Sequence, residues 1–441
     1  MLKVAKFAVA MALGTVAASA LVAGDAQAAE RRNQAASANT RVSAAFGRVY
    51  APVDTAIKAS NWTAADAALP AVAPAASTPF EHFLAAQLDY QIAAGTQNAA
   101  RQATAINAMI DSNGAPAEMA PRLALASAQL SYQARNYAVA AQRAAQAIQL
   151  GNTDPAAPII QLDALFRAGQ ADQGLVLANQ MIAAAEAAGR PAPEDVYSIA
   201  ARGLQSANRN ADLVQLLAKR ATAYPTAFNQ RVAGIVYLQM TPNLPRPVQI
   251  SVMRALLAGN AFSGAAQDSR AALLEHVRNL ADSGLPNESL TAIRAAQSAG
   301  VVTTGDAAFN EVAQLQQTKL AADRAGLPAS ERSAIANPEA RFAVRIGDAY
   351  LGYNEYAKAE ALFAAALGKT GVDADQTNLD LGIARFHQGN MAGAQEAFGR
   401  VHGAYDFAAR LWEGVVRARL APATPPAPVP PATPAAPAQA H

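Results

Sequence analysis

IGDAYLGYNEYAKAEALFAAAL, residues 346–367, and LGIARFHQGNMAGAQEAFGRV, residues 381–401, carry one pattern twice. Three positions match at one offset of 35 residues: Gly347 with Gly382, Ala359 with Ala394, and Phe363 with Phe398. Composition alone does not produce these matches, because the 441-residue chain contains only 27 glycines and 13 phenylalanines. A fixed period of this length is typical of stacked helical hairpins, so the two copies predict an all-α fold.

Each matched residue type has a physical role in such a hairpin. Gly347 and Gly382 let two helices approach to about 8–10 Å, the separation at which helix surfaces interlock. Ala359 and Ala394 are small for the same reason on the facing helix. We expect the two phenylalanines to fill the space between successive hairpins.

The pair resembles the tetratricopeptide repeat, a helical hairpin of about 34 residues. The first copy has the residue types that the family prefers at Ile346, Gly347, Tyr350, Ala359, Phe363 and Ala366, and the second copy at Leu381, Gly382, Ala394 and Phe398. The second copy departs from the pattern where Arg385 replaces an aromatic residue. The resemblance implies an α-solenoid of stacked antiparallel helical hairpins, curved or superhelical.

Composition and breaks in the helical pattern divide the chain into six segments. They are a signal peptide at 1–28, a flexible lead-in at 29–43, N-terminal helical repeats at 44–225, degenerate helical repeats at 226–337, C-terminal tetratricopeptide repeats with a capping helix at 338–420, and a disordered tail rich in proline and alanine at 421–441. Stepping back from Ala359 predicts a ladder of small contact residues at Ala65, Ala100, Ala140, Gly174 and Val214. In the degenerate part, residues 234–240 predict a helix and residues 305–326 a hairpin.

The N-terminus predicts export. Lys3 and Lys6 precede an uncharged run at 7–22, and an A-x-A site ends at Ala28, where we expect a signal peptidase to cleave. An uncleaved anchor is the alternative, but the run is shorter than the ~20 residues that span a bilayer. An exported chain without cysteine suits the bacterial periplasm. We therefore expect a periplasmic protein that does not span the membrane after cleavage.

Several classes of chemistry are disfavoured. The net charge of +2 lacks the basic excess of a nucleic-acid binder, and the absence of cysteine excludes disulfides and thiolate sites. The five histidines show no metal-ligand spacing. Residues 368–370, GKT, lack the leading glycine of a phosphate-binding loop, since Phe363 stands in its place. The sequence predicts no catalytic residue, no cofactor, no metal and no enzyme activity.

The resemblance also implies a concave groove lined by the first helix of each repeat. The groove positions are Arg341, Val344, Asp348, Leu351, Gln376, Leu379, Ile383, Phe386 and His387. The Lys and Asn with which some family members hold a terminal carboxylate are absent, because Val344, Asp348, Leu379 and Ile383 occupy those places. A mixed apolar groove suits a helix or an extended apolar peptide. Packing between helices is the alternative interpretation of each position.

These features favour a periplasmic scaffold that binds a protein or peptide, whose identity the sequence leaves open. A cell-wall hydrolase that uses a carboxylic acid on a helical frame is one alternative. A component of polysaccharide export is another.

Overall fold

The computed structural model describes residues 42–263 and 269–421. Within these ranges the chain is α-helical, and its β structure is limited to an isolated bridge between Glu339 and Thr370. The predicted signal peptide, nearly all of the lead-in and all but the first residue of the tail lie outside the described residues. The all-α architecture predicted from the repeat pair is confirmed.

The chain forms two compact units, Met1–Arg209 and Asn210–His441. The helices of unit 1 are α1 (Ala44–Lys58), α2 (Trp62–Ala68), α3 (Val72–Ala75), α4 (Pro79–Gly95), α5 (Ala99–Asp111), α6 (Ala120–Gln133), α7 (Tyr137–Gln149), α8 (Ala156–Arg167), α9 (Ala171–Ala187) and α10 (Glu194–Ser206). From α4 onward, each helix packs against the next one in the chain.

A buried carboxylate fixes the start of this array. Thr78 caps α4, and Glu81 completes a capping box with it. The Glu81 carboxylate accepts hydrogen bonds from the backbone N–H groups of Ser43 and Ser77 at 2.6 and 2.7 Å, and from the Ser77 hydroxyl at 2.8 Å. Burial alone would raise the pKa of Glu81, but these hydrogen bonds lower it to about 2. The chain entering α1 is thereby tied to the N-terminus of α4.

The predicted ladder of small residues is correct at some steps and wrong at one. Ala65 and Ala140 are fully buried, as expected for helix contacts. Ala100 is exposed, and α5 instead buries Ala105, Ile106 and Met109. Counting back at a fixed step failed there because the chain is rich in alanine, so a neighbouring register offered equally small residues.

Unit 2 contains the repeat pair. Its helices are α11 (Asn210–Ala223), α12 (Ala227–Met240), α13 (Arg246–Ala258), α14 (Arg270–Asp282), α15 (Pro286–Ser298), α16 (Ala307–Ala336), α17 (Ala340–Gly352), α18 (Tyr356–Ala366), α19 (Ala374–His387), α20 (Met391–Phe398) and α21 (Asp406–Leu420). The helix predicted at 234–240 is present as the second half of α12.

The degenerate part differs from the prediction in one element. A hairpin was expected at 305–326, but α16 runs without interruption for 30 residues and contains Pro328. Gly326 does not adopt a left-handed conformation and therefore does not end the helix. Its sequence surroundings are strong helix formers, which carry the helix through the glycine.

The repeat hairpins are held by contacts between glycine and phenylalanine. The Phe363 ring covers Gly347 on α17, and the Phe398 ring covers Gly382 on α19. A Cβ atom at these two glycines would lie 2.6 and 2.4 Å from the rings, so a larger residue would force the helices apart. Ala359 and Ala394 are fully buried on the facing helices. Each phenylalanine therefore packs on the glycine of its own hairpin, and Phe398 also stacks on Trp412 of the following helix, in line with the expected contact between successive elements.

The last helix closes unit 2 on itself. α21 packs against α20, as a capping helix would, and also against α11 and α13 at the start of the unit. The rings of Phe407 and Tyr237 stack with centroids 3.9 Å apart, and the Thr222 hydroxyl donates to the Arg410 carbonyl oxygen at 3.3 Å. Among the described residues, the last helix of unit 2 thus packs on the first helices of the unit and closes it.

No helix in the described ranges is long and apolar enough to cross a membrane.

Candidate functional site

A cavity of about 270 Å³ lies inside unit 2. It is lined by α13, α17 and α19, by the end of α14 and by the loop that precedes α19. The cavity is assembled by the tertiary fold of the unit, since α13 and α19 are far apart in the chain.

Arg254 of α13 is the centre of the charges in this cavity. Its side chain is 7% exposed. The guanidinium donates through Nε and Nη2 to both carboxylate oxygens of Glu288 on α15, at 2.7 and 2.8 Å. Its Nη1 donates to Asp348 of α17 at 3.0 Å and lies 3.5 Å from Asp380 of α19. One arginine therefore joins carboxyl groups from three other helices.

The three acids respond differently to this arrangement. Burial opposes the charge of Glu288, but the two-pronged pairing with Arg254 outweighs it and lowers the pKa of Glu288. Burial raises the pKa of Asp348, and Arg254 offsets only part of that rise. Burial, together with repulsion from Asp348, raises the pKa of Asp380 well above its ordinary value. Arg254 thus stabilises the ionised form of Glu288, whereas burial most strongly favours the neutral form of Asp380.

Asp380 is also incompletely satisfied. The residue is 1% exposed, yet it lines the cavity. Its Oδ2 has no hydrogen-bond partner among the described residues. Buried polar groups in folded proteins are nearly always paired, so an unpaired carboxyl oxygen beside a cavity indicates a position for a ligand.

Two histidines lie close to the charged centre. His276 of α14 is buried, and neither of its ring nitrogens has a partner in the described part of the chain. Burial lowers the pKa of His276 to about 4, so the ring is neutral at pH 7. His387 is exposed at the end of α19, and its ring stacks on Tyr356 with centroids 4.7 Å apart. Neither ring is hydrogen-bonded to the carboxyl groups that surround Arg254 in the described part of the chain.

The structure places the nine predicted groove positions in three different environments. Arg341, Val344, Asp348 and Gln376 line the cavity. Leu351, Leu379, Ile383 and Phe386 are buried in the unit. Phe386 lies edge-on against Trp412 of α21 at 5.2 Å, which shows that closure of the unit covers this part of the face. His387 is exposed. The structure thus brings four of the positions together and buries four in packing, while contact with a ligand stays a prediction for all nine.

The predicted repeat-signature residues are placed inside the hairpins. Gly347, Tyr350, Ala359, Phe363, Ala366, Gly382, Ala394 and Phe398 are all buried. The Tyr350 hydroxyl donates to Glu331 at 2.6 Å, and Lys358 lies over its ring. These residues hold the helices that present the cavity.

Sequence reasoning missed Arg254, Glu288 and Asp380. A signal was present for two of them, because Arg254 follows ISVM and precedes ALLAG, and Asp380 lies between Leu379 and Leu381. A charged residue that interrupts an apolar run is buried only when it is paired. No comparable signal marks Glu288, which begins a helix as acidic residues commonly do.

The described residues contain no group of three His, Cys, Asp or Glu side chains placed to hold a metal ion. The cavity offers carboxyl groups, arginines and amides, which suit hydrogen-bonding and charged ligands.

No protein-family model matches the chain, and no curated protein is similar to it. Similar solved structures include the APC/C hetero-tetramer Cut9–Hcn1, at 12% identity and a TM-score of 0.24, where the match covers 75% of this chain and 66% of that one. Naa15/Naa10 bound to HypK-THB matches at 11% identity and a TM-score of 0.22, covering 83% and 63%. The human IFIT1 dimer with PPP-AAAA matches at 15% identity and a TM-score of 0.20, covering 84% of both chains. The chain thus spans less than two thirds of the length of the first two, and similarity at this level does not bear on its function.

Proposed function

We propose that the protein is a periplasmic scaffold that binds a segment of another protein in the cavity of unit 2. The observation that carries this proposal is the cavity beside Arg254, in which the carboxyl group of Asp380 is buried with one oxygen unpaired. The pattern of a signal peptide at 1–28 supports the location. The hairpin architecture supports binding, because such arrays offer extended inner surfaces assembled from many helices.

Site-specific photo-crosslinking tests the proposal. Arg345 lines the cavity and is exposed, so a photo-reactive phenylalanine derivative can replace it without loss of packing. The matched control is Leu315 of α16, which is 56% exposed and lies outside the cavity lining. In living cells we expect position 345 to give a reproducible protein adduct that position 315 does not give. Identical adducts from both positions, or none from position 345, would contradict the proposal.

One observation favours a glycan hydrolase as a second candidate. Asp348 and Asp380 share Nη1 of Arg254, and their pKa values are raised, as the general acid of a glycosidase requires. Against it, both groups are held by a buried arginine. Turnover of purified peptidoglycan by the intact protein that is lost in D380N would favour this candidate. The absence of turnover would favour the scaffold. For polysaccharide export we find no separate structural support.

A further inference from the structure

The inner end of the unit 2 cavity contains more carboxyl groups than positively charged side chains. Glu288 takes two hydrogen bonds from Arg254, which leaves the single atom Nη1 to face both Asp348 and Asp380. One guanidinium charge balances one carboxylate, and the pairing with Glu288 uses it. The remaining two carboxyl groups are therefore short of a positive partner.

Asp380 identifies the place at which such a partner would bind. Asp380 lines the cavity, and its buried Oδ2 has no hydrogen-bond partner among the described residues. Asp348 belongs to the same lining and is partly exposed. Asp348 and Asp380 lie 3.0 and 3.5 Å from the same arginine nitrogen and both line the cavity, so one donor bound there would lie near both carboxyl groups.

We propose that this inner end receives a basic side chain, lysine or arginine, from the bound protein segment, and that its N–H groups donate to Asp380 and Asp348. The inference rests on the proposed function and names the chemistry of its partner. An organic cation suits the site better than a metal ion, because the described residues contain no three-ligand metal cluster.

The outer part of the cavity has the opposite character. Arg341 and Arg345 of α17 are exposed there, and Asp373 lies before α19. Arg341 already pairs with Glu339 at 2.7 Å and lies over the Phe342 ring. Arg345 is the cation best placed to meet a carboxylate of the partner. A segment with a basic residue followed closely by an acidic one would complement both parts of the cavity.

Binding of the basic side chain should release a proton. The pKa values of Asp348 and Asp380 are raised, mainly by burial, and a bound cation would favour their ionised forms. The ionisable groups facing them are Arg254 of α13, His276 of α14, Glu288 of α15, Arg341 and Arg345 of α17, Asp373, Asp375 and His387 around α19, and Tyr405. Because the bound form favours ionised aspartates, affinity should rise with pH.

The test uses the full chain and a library of random peptides displayed on phage. Selection on the wild-type protein should enrich peptides with a lysine or arginine at one fixed position. A synthetic copy of an enriched peptide is then titrated calorimetrically against wild type, D380N, D348N and the control E311Q, whose residue is exposed on α16.

We expect D380N and D348N each to weaken binding by about tenfold or more, the loss typical of a charge-assisted hydrogen bond, and E311Q to leave it unchanged. Changing the basic residue of the peptide to norleucine should cause a similar loss with wild type and little further loss with D380N. Wild-type affinity should rise as the pH increases above the ordinary aspartate value of 3.8, and that of D380N should rise less. Thermal melts of each variant exclude loss of fold.

Two other results overturn the inference in distinguishable ways. If the selected peptides lack a basic residue, or bind D380N and D348N as tightly as wild type, the basic anchor is wrong while a peptide-binding scaffold stands. If a photo-adduct forms at position 345 with a carbohydrate and no peptide is selected, the proposed function fails together with the inference.

Discussion

At the scale of single residues, two buried carboxyl groups have pKa values that are shifted in opposite directions. Glu81 in unit 1 is surrounded by N–H and O–H donors, so its charge is stabilised. Asp380 in unit 2 has Arg254 at 3.5 Å and an unpaired oxygen, and burial together with repulsion from Asp348 disfavours its charge. Burial is similar for both, and the difference in hydrogen-bond partners decides the direction of each pKa shift.

Asp380→Asn should stabilise the protein at neutral pH. An aspartate in the unfolded chain titrates near 3.8, whereas the pKa of folded Asp380 is raised. The folded state therefore holds a proton that the unfolded state releases, and wild-type stability falls as pH rises above about 4. Asparagine carries no charge, so we expect a gain of about 1 kcal/mol or more near pH 8 and a smaller difference near pH 4. Urea denaturation at both pH values measures it.

The control for this prediction is E311Q, which changes an exposed carboxylate and should be neutral at both pH values. Equal destabilisation of D380N at pH 4 and pH 8 would mean that Asp380 is ionised and paired with Arg254, which contradicts the assignment.

Glu81→Gln should have the opposite effect. The folded pKa of about 2 lies below the ordinary value of 4.5, so Glu81 contributes stability above about pH 4.5 and loses it as pH falls towards 2. Glutamine places an N–H group against the donors of Ser43 and Ser77. We expect a loss of ~1–3 kcal/mol at pH 7 that shrinks near pH 3. Denaturation of E81Q beside E118Q checks this prediction, since Glu118 is an exposed residue on the loop before α6. A loss of stability that does not depend on pH would contradict the stabilising role of the Glu81 charge.

At the scale of elements, the repeat pair could be predicted because its contacts are local. Gly347 meets Phe363, and Gly382 meets Phe398, within one hairpin, so the same spacing recurs in the sequence. The long helix α16 was not predicted, because Gly326 and Pro328 indicate a break, whereas the strong helix formers around them carry the helix through. The charged site was missed for a related reason. Arg254 and Asp380 belong to helices that are far apart in the chain and approach each other only in the folded unit.

Phe398→Ala should destabilise the second repeat hairpin strongly. The ring is 1% exposed and packs on Gly382 and on Trp412, with centroids 5.9 Å apart in the latter pair. Removal leaves a cavity that the neighbouring helices cannot fill, which typically costs ~3–5 kcal/mol. The matched control is Phe228→Ala, since Phe228 is 56% exposed and should be almost neutral. Thermal melts that show equal stability for the two variants would refute the packing of the hairpin.

At the scale of the whole molecule, unit 2 combines contacts between its first and last helices with a cavity lined by other helices of the unit. A terminal helix that only capped the last repeat would leave an open inner face. Here α21 returns to α11 and α13, buries Phe386 through Trp412, and leaves a cavity beside Arg254. The capping role of the last helix followed from the sequence. Its contacts with the start of the unit did not, because they join residues almost two hundred positions apart.

Phe407→Ala tests that closure. Phe407 is buried and stacks on Tyr237, so the truncation should open the contact between α21 and the first helices of the unit. We expect hydrogen exchange to increase in α12 and α13, far away in sequence, as well as in α21. The surface variant F228A should leave exchange in α21 unchanged. An increase confined to α21 would indicate an open array.

The most direct test of binding in the cavity combines photo-crosslinking at position 345 with competition by the selected peptide. The protein with the photo-reactive residue at position 345 is crosslinked to its cellular partner in the presence of excess selected peptide, and the adduct yield is measured. We predict that the peptide with its basic residue suppresses the adduct, and that the norleucine version at the same concentration does not. An adduct yield unaffected by the basic peptide would contradict binding of the partner in this cavity.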